Sequence, residues 1–119
     1  MTYNNATRNA LATAFANIFN GGTLEIRTAG GTALLATINL PATAFSDPSN
    51  GQISRNGTWS VTASGSGVAR VARFVGTGGA TAEVTVGESG SGANLIIDNE
   101  NIVSGGTVTV NTYTHTVPA

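Results

Sequence analysis

A chain of 119 residues, 40% hydrophobic and only 9% charged, has the length of one domain. It is too apolar to be disordered and carries far less charge than soluble domains usually do. A net charge of −1 with no basic run excludes the electrostatic footprint of a nucleic-acid binder, and the absence of cysteine excludes disulfides, thiolate metal sites and a cysteine nucleophile.

The first segment reads as a helix. Residues 2–19 contain neither Gly nor Pro, and Leu11, Phe15, Ile18 and Phe19 recur at helical spacing, with Ala6, Ala10 and Ala14 extending that side. Thr2, Asn4 or Asn5 can cap its start, and Asn20-Gly21-Gly22 stops it through a left-handed residue. From Gly22 the period becomes two. Leu24 and Ile26 alternate with Glu25 and Arg27, Gly30-Gly31 turns the chain, and Leu34, Ala36, Ile38 and Leu40 give a second strand that should form a hairpin with the first. Pro41 ends it, since proline cannot donate to a central ladder. Residues 41–57 then read as a long loop around the turn signal Asp47-Pro48-Ser49-Asn50-Gly51. A loop of that length suggests a contact arm.

The second half reads as strands at 58–63, 68–75, 81–86, 94–98 and 106–117, separated by glycine-rich breaks and dominated by Thr, Val and Ile. About seven short strands at such spacing predict an antiparallel β-sandwich, with a jelly roll as one form of it. The expected domain is therefore 1–119, a helix over 2–19 and a sandwich over 23–117.

Catalytic and ligand chemistry is poorly supplied. His115 is the only histidine, so a metal site lacks convergent ligands. Ser66 in Gly65-Ser66-Gly67 reads as a turn and not as a nucleophile elbow. Asp98 and Glu100 could share a cation or serve as paired carboxylates, but Asp98-Asn99-Glu100-Asn101 reads better as a polar turn. Glu25 with Arg27, and Arg70 set opposite Glu83, read as surface ion pairs. Gly76-Thr77-Gly78-Gly79 precedes no helix and lacks the lysine of a phosphate cradle. Trp59 alternates with Val61 and Ala63 and is expected in the core; an exposed Trp59 or Tyr113 would instead suit a sugar-binding face. No catalytic, cofactor or metal residue is assigned, and the chain is expected to be no enzyme.

The surface points elsewhere. All five basic residues are arginines, Arg8, Arg27, Arg55, Arg70 and Arg73, and arginine suits protein interfaces better than lysine. Thr, Ser, Asn and Gly cover what charge does not, and hydroxyls and amides are cheaper to bury against a neighbour than unpaired charges. No stretch reaches the ~20 apolar residues of a membrane-spanning helix. The opening Met1-Thr2-Tyr3-Asn4-Asn5 does not resemble a secretory signal.

The order of segments resembles a family of small virion proteins of tailed bacteriophages. The matching pieces begin with Arg8 to Ala12, Gly22-Thr23-Leu24-Glu25-Ile26-Arg27-Thr28, and Leu35 to Pro41 leading into Ala44-Phe45. They continue with Ala72-Arg73-Phe74, Val86-Gly87 before Ser89-Gly90, Asn94-Leu95, Ile102 and Ser104 to Val108. The resemblance covers nearly the whole chain and carries no catalytic residue over. It implies a particle component assembled in the host cytoplasm, best fitted by a capsid decoration (cement) protein. Such a protein binds the major capsid protein and its own copies as a dimer or trimer, with neither nucleic acid nor membrane as partner. Arg8, Phe45 and Arg55 are the candidate contact residues. A tail, neck or fibre component is the alternative within the particle, and a carbohydrate-binding module the alternative outside it.

Overall fold

The computed structural model describes residues 2–117. Its helix α1 runs from Asn5 to Phe19 and starts later than the composition suggested, because the side chain of Asn4 accepts the amide of Thr7 at 2.9 Å and so fixes the first turn. It stops where Asn20 returns a last amide to Ala16 and Gly21 turns left-handed at φ 73°. The buried stripe is Ala12, Ala16 and Phe19 with Phe15 beside it, while Leu11 and Ile18 lie 43% and 46% exposed. This corrects the expected face. Ala12 and Ala16 share the inward face with Phe15 and Phe19, in place of Leu11 and Ile18, and their small size lets the helix backbone come close.

Among the described residues ten strands follow: β1 (Thr23–Arg27), β2 (Leu34–Asn39), β3 (Gln52–Ser54), β4 (Ser60–Thr62), β5 (Gly67–Val68), β6 (Val71–Val75), β7 (Thr81–Gly87), β8 (Leu95–Ile97), β9 (Asn101–Ile102) and β10 (Thr107–Thr116). β1 and β2 form the expected hairpin, in a register that pairs Leu24 with Ile38 and Ile26 with Ala36. The main sheet runs β2-β1-β6-β7-β8-β10-β3, with β4 also on β10, and β5 pairs β9 apart from it. Every pairing is antiparallel except β7 with β8, where Val86 lies opposite Leu95 in parallel. The fold is mainly β and sandwich-like, with one helix. Its sheet is mixed through that single pairing, not wholly antiparallel.

β10 organises one half of the molecule. β8 pairs one edge of it, while the other edge takes β4 at Thr107–Thr109 and then β3 at Thr114–Thr116. β3 and β4 thus act as one strand interrupted at residues 55–59. The interruption faces a bulge in β10 between Val110 and Thr112, which flips the alternation: Val108 and Val110 point inward before it, Tyr113 and Val117 after it. The sheet curls until its ends approach, and Leu35 of β2 accepts the amides of Ser64 and Gly65 just after β4 at 2.9 and 3.0 Å.

Inside lie Leu24, Ile26, Leu35, Ile38, Ile53, Trp59, Phe74, Leu95, Ile97 and Val110, each under 2% exposed. An aromatic cluster joins helix to sheet. Phe45 meets Trp59 edge-on at 5.4 Å, Phe74 meets Tyr113 at 5.1 Å, and Phe15 reaches Phe19, Phe45 and Phe74 within 6 Å. At the helix's end the backbone comes so close that a Cβ on Gly22 would stand 2.2 Å from the carbonyl oxygen of Val75.

Residues 41–57 do not form a free arm. Ala44, Phe45 and Ile53 enter the core, the amides of Ser46 and Asn56 bond Ser54 and Ala44, and β3 joins β10. Within this stretch Asn50 and Gly51, at φ 51° and 74°, make the tight turn that the Asn-Gly pair predicts.

Candidate functional site

The three arginine and aromatic contact candidates turn out to hold the chain together. Arg8 donates from Nε to the carbonyl of Val117 at 2.9 Å and from a terminal nitrogen to Asn5 at 3.2 Å, with its stem laid over Gly51. It straps the helix to the end of β10 and to the 49–52 turn, where Asn9 also accepts the Gly51 amide at 2.8 Å. Arg55 spans the gap between β3 and β4, donating to the bulge carbonyl of Asn111 at 3.0 and 3.3 Å and to the carbonyl of Gly57. Phe45 is 4% exposed, so its ring belongs to the core and offers a partner no surface. Arg8 and Arg55 remain half-buried, with part of each side chain outside.

The remaining charges gather elsewhere. Glu25 with Arg27 at 2.9 Å and Arg73 with Glu83 at 2.7 Å lie on the outward face of β1, β6 and β7, where Glu25, Arg73 and Glu83 stand in register. Arg70 does not meet Glu83 as expected. It reaches Glu100 at 2.8 Å, because Arg70 precedes β6 and only Arg73 stands opposite Glu83 in the ladder. Asp98 accepts the amides of Asn99 and Thr109, and Glu88 accepts that of Glu100. Of the two neighbouring acids, Asp98 therefore serves the turn, while the Glu100 carboxylate goes to Arg70.

His115 stacks flat on Phe15, ring centroids 4.0 Å apart and planes 11° from parallel. Burial there lowers its pKa below the usual 6.5. No serine hydroxyl or carboxylate among the described residues hydrogen-bonds it, and Ser66 bonds the Ser104 amide instead. Trp59 is fully buried and Tyr113 nearly so; neither presents a ring on which a sugar could stack. Burial likewise raises the Tyr113 phenol to about 12. Gly76 and Gly79 close the turn from β6 to β7 by bonding Ala80 and each other. No group of three or more potential metal ligands occurs among the described residues, and no described helix is long and apolar enough to cross a membrane.

What the structure assembles instead is a surface. On the outer side of β10 and the two strands beside it stand Thr107, Thr109, Thr112, Thr114 and Thr116 with Gln52, Ser54, Ser60 and Thr62, mostly exposed. Hydroxyls meet across the strands, Ser54 with Thr114 at 3.3 Å and Ser60 with Thr109 at 3.1 Å. No side chain named in this face carries a charge; Arg55 rises only in the gap between β3 and β4. The alternation of Thr107 with Thr109, and of Thr112 with Thr114 and Thr116, was visible in the sequence, whereas the bulge that brings the two runs onto one face was not. Ser60 and Thr62 were visible as the alternates of Trp59, Val61 and Ala63, but that they and Gln52 and Ser54 would flank β10 was not, because pairing partners are not written in the sequence and β3 is too short to show a period.

Compared with models of protein families, with curated proteins and with solved structures, the chain matches none.

Proposed function

We propose that this chain is a structural component of a bacteriophage virion, a decoration protein that binds the head lattice beside other copies of itself. The observation that carries the reading is the uncharged hydroxyl and amide face built on β10, β3 and β4. Such groups exchange water for a neighbour's donors and acceptors at little cost, whereas an unpaired charge does not. The ion pairs support the reading from the other side, since they sit away from this face and are satisfied within the chain. The resemblance of the segment order to small tailed-phage virion proteins is what suggests the partner, the major capsid protein. A tail, neck or fibre component would use the same face to stack copies into a ring or column.

Co-sedimentation of the purified chain with undecorated heads and, separately, with tails tests this. The expected result is saturable binding to heads that raises their melting temperature, since a ligand of the assembled state stabilises it. The double variant Thr112→Lys, Thr114→Lys should abolish binding while keeping the far-ultraviolet spectrum of the fold. Binding to tails alone moves the protein to the tail, and binding to neither overturns the proposal.

A further inference from the structure

Asparagine followed by glycine is the pair at which a chain most readily modifies itself, because glycine leaves the following amide nitrogen unshielded. That nitrogen attacks the asparagine side-chain carbonyl. The sequence holds three such pairs, Asn20-Gly21, Asn50-Gly51 and Asn56-Gly57. The fold treats them differently. At the first, the Gly21 amide donates to the carbonyl of Pro41 at 2.9 Å and the Asn20 side-chain oxygen accepts the Ala44 amide at 2.9 Å. At the second, the Gly51 amide donates to Asn9 at 2.8 Å, Gly51 is buried, and the Asn50 side-chain oxygen accepts from Asn5 at 3.3 Å. In both, nucleophile and electrophile are already engaged.

The third pair is different. Asn56 and Gly57 are both exposed, and among the described residues the Gly57 amide donates to nothing. Asn56 is held by its own backbone amide on Ala44 at 2.8 Å and by its side-chain nitrogen on Thr43 at 3.1 Å. Its side-chain oxygen and carbonyl carbon stay free. We infer that Asn56 is a site of spontaneous deamidation in the folded protein, and that the fold withholds the reaction from Asn20 and Asn50. Base removes the Gly57 amide proton, and the nitrogen bonds to the side-chain carbonyl carbon of Asn56. The carbon–nitrogen bond of the side-chain amide then breaks and ammonia leaves, giving a five-membered imide. Water opens the imide at either carbonyl, to aspartate or to isoaspartate. The consequence is local but structural. Asn56 lies in the link between β3 and β4, next to the arginine that holds the β10 bulge, so either product adds a carboxylate beside Arg55. Isoaspartate also lengthens the backbone of the link.

Peptide mapping by mass spectrometry, after incubating the native protein at mildly alkaline pH, reads the reaction as the mass gain of an amide turned to acid. A hydrogen bond on an attacking amide must break first, so conversion at Asn56 should lead that at Asn20 and Asn50 by about tenfold. In denaturant the three should converge, because the protection is conformational. Asn56→Gln should remove the early product and leave the other two sites unchanged. Equal native rates at the three sites, an earlier product at Asn20 or Asn50, or no acid form at Asn56 would each overturn the inference.

Discussion

Trp59 is the chain's single tryptophan, fully buried, and its indole nitrogen finds no hydrogen-bond partner among the described residues. The edge-on ring of Phe45 at 5.4 Å offers at most a weak contact of the N–H-to-ring kind. Emission from this one fluorophore should therefore be blue-shifted in the native state and red-shift in a single step on unfolding, which makes it the natural probe for the variants that follow. Gly22→Ala should cost about 2 kcal/mol or more, because its new carbon meets a backbone oxygen that no rotamer can move. Gly78→Ala meets nothing within 4 Å and should stay within about 0.5 kcal/mol of the parent, as surface changes usually do. Urea midpoints followed by Trp59 fluorescence separate the two. His115 gives a pH signature. Its folded pKa lies below 6.5 because burial on Phe15 disfavours the cation, so below that pH the unfolded chain takes up the proton more readily than the folded one. Stability should be full above 6.5 and fall as the pH drops through the folded pKa. His115→Phe, measured by melting temperature across the same range, should flatten that part of the profile.

At the scale of elements, the helix stays on the sheet by the Arg8 strap and by a face of Ala12, Ala16, Phe15 and Phe19. Arg8→Ala should cost about 1–2 kcal/mol through the lost bond to Val117 and the uncovered Gly51 turn. Hydrogen exchange should show the helix loosening before the sheet. Phe45→Ala should cost about 3–5 kcal/mol, the usual range for a buried phenylalanine, and that size would itself mark residues 41–57 as part of the fold. Here the sequence was hardest to read. Only Ala44, Phe45 and Ile53 of this stretch enter the core, two of them adjacent and the third eight residues on beyond Pro48, so no period of two could emerge. β3 exists because β10 pairs it, and a three-residue strand borrows its conformation from its neighbour. The helix misled differently, since Leu11 and Ile18 are larger than Ala12 and Ala16 and hydropathy weighs size, whereas close packing rewards smallness. The β1–β2 hairpin and the Asn50-Gly51 turn were legible because local alternation and local dihedral demands decide them. The hydroxyl face was half legible: the two threonine runs of β10 each alternate in the sequence, while their sharing of a face depends on the bulge and the flanking rows on register.

Over the whole molecule, charge contributes little. Three surface ion pairs among the described residues and a net charge of −1 give salt little to screen, so the melting temperature should hardly move between low and high sodium chloride. A strong dependence would mean that the sparse charges matter more than their geometry indicates. Cohesion comes instead from the core and from β10, which borders β8, β4 and β3 together. All three of those strands precede it in the sequence. A ribosome therefore delivers three strands that must wait, each with an open hydrogen-bonding edge, until residues 107–116 have left the exit tunnel. Vectorial synthesis can settle β1, β2, β6 and β7 early, but the pairings around β10 have to close together and late. That leaves an interval in which unpaired edges on neighbouring nascent chains can find each other.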